Sequence, residues 1–249
     1  MQLVIVIIII AIIFFLVVKI VCFCSKKYMT TLKNAGPRDA EARLGASGRG
    51  PYKLEYANKN DPYDRPSILK NFLTEQQCNQ IINYSRNKLF DSEVIGGKYK
   101  NIRNSQQYWI PKNSSLVKPL FEKISRMYNI PFENAEDLQV VRYLPNQFYK
   151  EHHDSCCDDN DKCQEFVGKG GQRIITVLIY LNNNFTEGNT YFKNLDLKIK
   201  PPTGNAIVFY PLAKNSKKCH PLALHAGLPV SSGEKWVANL WFRERAFKS

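Results

Sequence analysis

Histidine is scarce in this chain: four residues in 249, namely His152, His153, His220 and His225. Any chemistry that needs imidazole must draw on these, and they fall into two well-separated stretches. No His-Glu-x-x-His string occurs, which excludes the helix-borne zinc hydrolase arrangement. The seven cysteines include no Cys-x-x-Cys pair, so the usual zinc knuckle is not supported. Lys and Arg outnumber Asp and Glu by 35 to 22, for a formal net charge of +13, yet the basic residues never gather into one run. Scattered charge of this kind is explained by solubility and by nearness to a membrane surface, so nucleic acid is not expected as a partner. There is no internal repeat.

What the chain has in excess is apolar residues at its start. Leu3 to Val18 is almost wholly Ile, Val, Leu and Phe, and with Lys19 tolerated the run extends to Cys24. About twenty apolar residues cross a bilayer as a helix. A cleaved signal peptide would begin with basic residues and end at an Ala-x-Ala-like site; Met1-Gln2 is uncharged and no such site follows. Residues 1–24 therefore read as a single-pass transmembrane signal anchor. Lys19, Lys26, Lys27, Lys33 and Arg38 lie on its C-terminal side, which places the following domain in the cytoplasm by the positive-inside rule. Three sequons, at Asn83, Asn113 and Asn184, would permit glycosylation on the opposite side.

Residues 25–65 are rich in Gly, Pro, Ala and charge and read as a linker. Residues 66–249 read as one domain. Thr74 and Gln77 form a capping-box pattern ahead of Cys78, Ile81, Ile82 and Leu89 at helical spacing. A second helix is expected from Ser115 to Tyr128, with Leu116, Leu120, Ile124 and Met127 inward and Pro119 tolerated near its first turn. After Asp137 the pattern changes to short β-rich runs: Leu138–Tyr143, Ile174–Leu181, Ala206–Tyr210, Leu224–Leu228 and Trp236–Phe242. Strands of that length behind leading helices suit a mainly β (α+β) fold with a double-sheet jelly-roll core.

The motif with most chemical content is Tyr149-Lys150-Glu151-His152-His153-Asp154. Along a strand, residues i and i+2 share a face, so His152 and Asp154 converge while His153 turns away. A distant histidine then completes a 2-His-1-carboxylate site, a geometry that leaves open positions and suits non-haem iron. His225, in the apolar segment Leu222–Gly227, is the natural third ligand. His220 sits beside Pro221 in a Lys- and Asn-rich loop that reads as solvated. Lys235, ten residues past His225, offers a fixed positive charge.

These residues carry a family resemblance. Ile102 to Arg243 resembles the catalytic domain of prolyl 4-hydroxylases of the collagen and plant/algal type, which are Fe(II)- and 2-oxoglutarate-dependent dioxygenases. The matching stretches include Arg103-Asn104-Ser105, Leu138–Tyr143, Tyr149-x-x-His152-x-Asp154, Gly170–Thr176, Glu187–Thr190, Leu224–Val230 and Gly233–Asn239. The resemblance implies a double-stranded β-helix. It implies His152, Asp154 and His225 as iron ligands, and Lys235 as the partner of the far carboxylate of 2-oxoglutarate, with Tyr143 and Thr190 as hydroxyl donors to the same molecule. Tyr149, Arg173 and Trp241 are implied on the side that meets a Pro-rich peptide or protein, and ascorbate as the reductant that rescues uncoupled turnover. It also points to the lumen of the endoplasmic reticulum, against the charge bias around the anchor; the lumen-facing reading is preferred and the cytoplasm-facing one stays open. The chain departs from the pattern in an Asp- and Cys-rich insert, Cys156 to Lys169, whose place just after the ligands suggests a cover over the peptide groove. For its cysteines and Cys219, disulfides in an oxidising lumen are preferred to a zinc site. The alternatives carried are a related oxygenase acting on lysine or nucleic acid, a zinc hydrolase, and a non-catalytic module that holds Pro-rich peptides.

Overall fold

The structure is a computed structural model, and it describes residues 53–94 and 97–248. The expected anchor, 1–24, lies outside the described residues. Among those described, no helix is long and apolar enough to cross a membrane. In chain order the elements are β1 (Ser67–Leu69), α1 (Glu75–Ser85), β2 (Phe90–Asp91), β3 (Gln106–Ile110), α2 (Lys118–Tyr128), β4 (Leu138–Tyr143), β5 (Tyr149–His152) and α3 (Asp161–Gly168). They continue with β6 (Arg173–Tyr180), β7 (Phe185–Glu187), β8 (Thr190–Phe192), β9 (Leu197–Ile199), β10 (Ala206–Phe209), β11 (His225–Gly227), β12 (Val230–Gly233) and β13 (Lys235–Arg243).

The strands form a large antiparallel sheet in the order β1-β10-β6-β13-β4-β3-β2, a smaller one in the order β5-β11-β8-β9, and the pair β12-β7. The architecture is mainly β with a few helices, as expected of a jelly roll. The central strands of the large sheet, β4, β6, β10 and β13, are buried on both faces, so they read as near-continuous hydrophobic runs. On β13, Trp236, Ala238, Leu240 and Phe242 face a core shared with α1 and α2. Lys235, Val237, Asn239, Trp241 and Arg243, the alternate set, line the interior cavity. The period of two in a strand thus separates a structural face from a chemical one.

α1 begins as its sequence dictates. The Thr74 hydroxyl accepts from the Gln77 backbone N–H at 3.2 Å, and Gln77 Oε1 accepts from the Thr74 N–H at 2.9 Å. Cys78, Ile81 and Ile82 are buried; Leu89 follows a short 3-10 turn and packs at the edge of the core. The loop before α1 is moored where Leu73 N–H donates to Gly204 O at 2.9 Å. Gly204 has φ +79°, and a β-carbon there would come within 2.2 Å of Leu73 O, so only glycine fits.

Three expectations need correction. α2 starts at Lys118 rather than Ser115, because residues 114–117 form a turn that delivers Pro119 to the first helical turn. Its inward stripe is Leu120, Phe121 and Ile124 with Tyr128 at the edge, while Met127 is 38% exposed. The large Phe121 rotates the stripe away from Met127. The linker expected to reach residue 65 is fastened to the domain from Leu54 on. Leu54 packs with Cys156, Cys163 and Val167, Ala57 N–H donates to Cys219 O, and Cys219 N–H donates to Glu55 O. Two apolar side chains and a short bridge hold a strip whose overall composition is that of a loop.

Candidate metal centre and co-substrate cavity

β5 and β11 pair so that His152 and His225 are direct partners. Asp154 lies two residues past the end of β5. The ligand atoms offered by His152, Asp154 and His225 all lie within 4.8 Å of one another. His152 Nε2 is 3.6 Å and His225 Nε2 3.9 Å from Asp154 Oδ1. Each imidazole is oriented from behind: His152 Nδ1 donates to Lys150 O at 2.8 Å, and His225 Nδ1 to Ala223 O at 3.0 Å. A carbonyl only accepts, so Nδ1 carries the proton and Nε2 presents its lone pair to the site. The Tyr149 ring stacks on His152 with centroids 3.5 Å apart, and the Arg103 guanidinium lies over the Tyr149 ring, 4.6 Å from its centroid. Burial pushes the Tyr149 hydroxyl up to about 12, so it stays protonated.

Electrostatics favours a cation. Burial alone would raise the Asp154 carboxyl, but the His225 and His152 rings, Arg173 and the Thr176 hydroxyl outweigh it and hold the group well below the usual carboxylate range. Burial, with His225 beside it, holds His152 well below the usual imidazole range, hence neutral. Two imidazoles and one ionised carboxylate, each with a donor atom turned to a common point, are a donor set that fits ferrous iron. Asp154 Oδ2 accepts from Thr176 Oγ1 at 2.7 Å and from Trp241 Nε1 at 3.0 Å.

The site opens into a cavity of about 490 Å³ lined by Tyr143, Thr190, Lys235 and Arg173 among others. Lys235 is 2% exposed and lies opposite Tyr143 in the β13–β4 register. Its ammonium donates to Gly188 O at 2.7 Å and stands 5.1 and 5.2 Å from the rings of Tyr143 and Tyr180. Among the described residues no carboxylate lies within ion-pair distance of it. Desolvation, with Lys200 adding repulsion, lowers its pKa from 10.5 to about 7. A buried cation left without an anion in a polar cavity fits an acidic guest. The Thr190 hydroxyl is bonded to Tyr180 O–H at 2.8 Å. Arg173 is held by Glu136, at 2.6 and 2.8 Å, and its guanidinium lies 3.5 Å over the Trp241 ring. Glu136 also accepts from Arg243 Nε at 2.7 Å.

The other histidines are placed elsewhere. His153 meets the Tyr56 ring edge-on at 5.4 Å. His220, expected in a solvated loop, is fully buried. It stacks on Tyr63 at 4.4 Å, accepts from Leu222 N–H at Nδ1 and donates from Nε2 to Asp61 O. Its Lys-rich neighbours are exposed, which is what made the loop look wet. The insert is largely α3, and Lys162, Glu165, Phe166 and Lys169 from it line the cavity. Its cysteines are used in Cys156–Cys163 and Cys157–Cys219, as disulfides and not as zinc ligands. Sequence reasoning gave no role to Thr176, Glu136 or Arg103. Thr176 had a signal, being the one polar side chain inside the run Ile174–Ile179; Glu136, before β4, had none.

A family model described as the 2OG-Fe(II) oxygenase superfamily matches residues 138–243, the span that holds every ligand. A putative prolyl 4-hydroxylase from Acanthamoeba polyphaga mimivirus is 64% identical over 194 residues, covering 78% of this chain and 80% of that one. Prolyl 4-hydroxylase 1 of Arabidopsis thaliana is 30% identical over 200 residues, covering 72% and 69%. The crystal structure of viral collagen prolyl hydroxylase from Paramecium Bursaria Chlorella virus-1, as its 2OG complex, superposes with a TM-score of 0.56 at 34% identity, covering 71% and 94%. With its iron-type triad and its acid-seeking cavity, the chain belongs to the prolyl 4-hydroxylase family of 2OG-Fe(II) oxygenases, dioxygenases that require Fe(II) and 2-oxoglutarate and typically use ascorbate.

Proposed function

We propose that this protein hydroxylates proline in Pro-rich peptide segments, held to a membrane by residues 1–24 and facing an oxidising lumen. The observation that carries the reaction type is Lys235, a buried ammonium without an acid partner in the cavity that also holds the triad. His152, Asp154 and His225 would hold the iron, and Lys235 would receive the far carboxylate of 2-oxoglutarate. Tyr143 stands beside that lysine. Thr190 acts less directly, because its hydroxyl is engaged by Tyr180. Bound Fe(II) with 2-oxoglutarate and dioxygen supplies the oxidation, releasing succinate and carbon dioxide as one oxygen atom enters the substrate C–H bond. The chain orients both imidazoles, keeps Asp154 ionised and removes water from around the lysine. Tyr149 and Arg173, half-buried in the cavity lining, would face the peptide. The lumen reading is supported by the two disulfides, which form and persist in oxidising compartments. The anchor reading is supported by the apolar run Leu3–Val18.

The test supplies the purified chain with Fe(II), 2-oxoglutarate, ascorbate and a panel of Pro-rich and Lys-rich peptides. Peptide-stimulated succinate release is expected, with the mass of one oxygen atom gained on proline. Oxygen on lysine alone, or 2-oxoglutarate binding with no peptide modified, would reject proline as the target.

A further inference from the structure

The two oxygens of Asp154 are treated differently. Oδ1 is turned to the Nε2 atoms of His152 and His225, at 3.6 and 3.9 Å. Oδ2 accepts from the Thr176 hydroxyl at 2.7 Å and from the Trp241 indole N–H at 3.0 Å. Both donors are buried, Thr176 at 0% exposure and Trp241 at 4%. A carboxylate oxygen has two in-plane acceptor sites, and two short bonds from fixed donors fill them. The donors are themselves rigid. Thr176 sits mid-strand, with β10 on one side and β13 on the other. The Trp241 ring is covered by the Arg173 guanidinium at 3.5 Å, which Glu136 holds in turn.

We propose that Thr176 and Trp241 are positioning residues that reserve Oδ2 and so confine the iron to Oδ1, making Asp154 a one-point ligand. The number of open positions depends on this. Three protein ligand atoms on a six-coordinate ion leave three places: two for the chelating end of a keto acid and one for dioxygen. A carboxylate that turned to bind through both oxygens would take one of them. Trp241 thus acts on the metal side of the cavity wall, beyond the role in facing peptide that the resemblance implies. The inference rests on the ligand assignment given above, and the experiment reads the two apart.

The full-length chain, stripped of metal, is titrated with Co(II) without peptide or 2-oxoglutarate, and its visible absorption reports affinity and coordination number. Removing a group that orients a metal ligand typically weakens binding about 10- to 100-fold. Thr176→Val and Trp241→Phe are each expected to weaken Co(II) binding at least about tenfold and to alter the band shape, whereas Thr176→Ser keeps both. His152→Ala reads the ligand assignment: undiminished Co(II) binding in that variant would overturn the triad itself. Wild-type affinity and spectrum in Thr176→Val and Trp241→Phe, or equal losses in Thr176→Val and Thr176→Ser, would overturn the positioning role with the triad intact. Trp241 would then be a wall residue whose loss raises only the KM for peptide. Circular dichroism on each variant identifies a misfolded one, and if Trp241→Phe fails to fold, the Thr176 pair decides the question.

Discussion

Lys235 shows how a single residue is costly until its ligand arrives. Its folded pKa of about 7 lies below the ordinary 10.5, so between those values the empty folded chain binds fewer protons than the unfolded one. Stability of the empty protein should therefore rise with pH across that window and be lowest below about 7. Lys235→Met is expected to flatten this rise and to increase Tm at neutral pH, while abolishing 2-oxoglutarate binding; calorimetry with and without the co-substrate checks both. For the parent protein the sign of binding is opposite. The acid needs the charged lysine, so affinity should fall about tenfold per pH unit above 7, and an affinity flat to pH 9 would show that another group receives the carboxylate. His152→Ala should abolish turnover with an unchanged far-ultraviolet dichroism spectrum, since the ring lies at a cavity wall and outside the apolar clusters.

At the scale of elements, the two disulfides differ in what they constrain. Cys157–Cys219 spans 62 residues of chain and Cys156–Cys163 spans 7. By loop-closure entropy the longer bridge is worth about 4 kcal/mol and the shorter about 2.5 kcal/mol. Denaturant titration of the paired Cys→Ser variants should show that order. α3, tied down by both bridges at its N-terminal side, presents Phe166 and Lys162 to the cavity. Replacing these two by Ala should raise the KM for peptide and leave 2-oxoglutarate affinity unchanged; the reverse would remove α3 from the peptide side. Legibility in the sequence follows the same scale. β4, β6, β10 and β13 could be read because burial on both faces forces continuous runs of β-formers. β5, β7, β8 and β9 are three or four residues long, too short to show a period, and their register comes from partners far along the chain. The triad was legible because a two-residue spacing at the end of a strand is a local property. The partners on the far oxygen of Asp154 were not, since Thr176 and Trp241 meet it only through tertiary pairing.

At the scale of the whole molecule, the chain joins a domain of this family to an apolar leader whose role is a proposal with a direct test. Expressed full-length in cells with a secretory pathway, the protein should sediment with membranes after an alkaline wash and resist added protease until detergent is present. Removal of residues 1–24 should release it to the supernatant. Protection without sedimentation would mean that the leader is cleaved. Sedimentation without protection would mean that the domain faces the cytoplasm, as the basic residues after the leader suggest by the positive-inside rule.

The order of the large sheet has a further consequence for how the protein is made. β13, residues 235–243, is inserted between β6 and β4 at the middle of the sheet and carries Lys235 and Trp241. During synthesis every strand it joins leaves the ribosome earlier, so the nascent chain must wait with two unsatisfied inner edges exposed. A ribosome stalled shortly before residue 235 would hold both histidine ligands in a chain whose sheet cannot close. Until β13 pairs with both neighbours, the cavity that His152 and His225 line lacks the wall that carries Lys235 and Trp241.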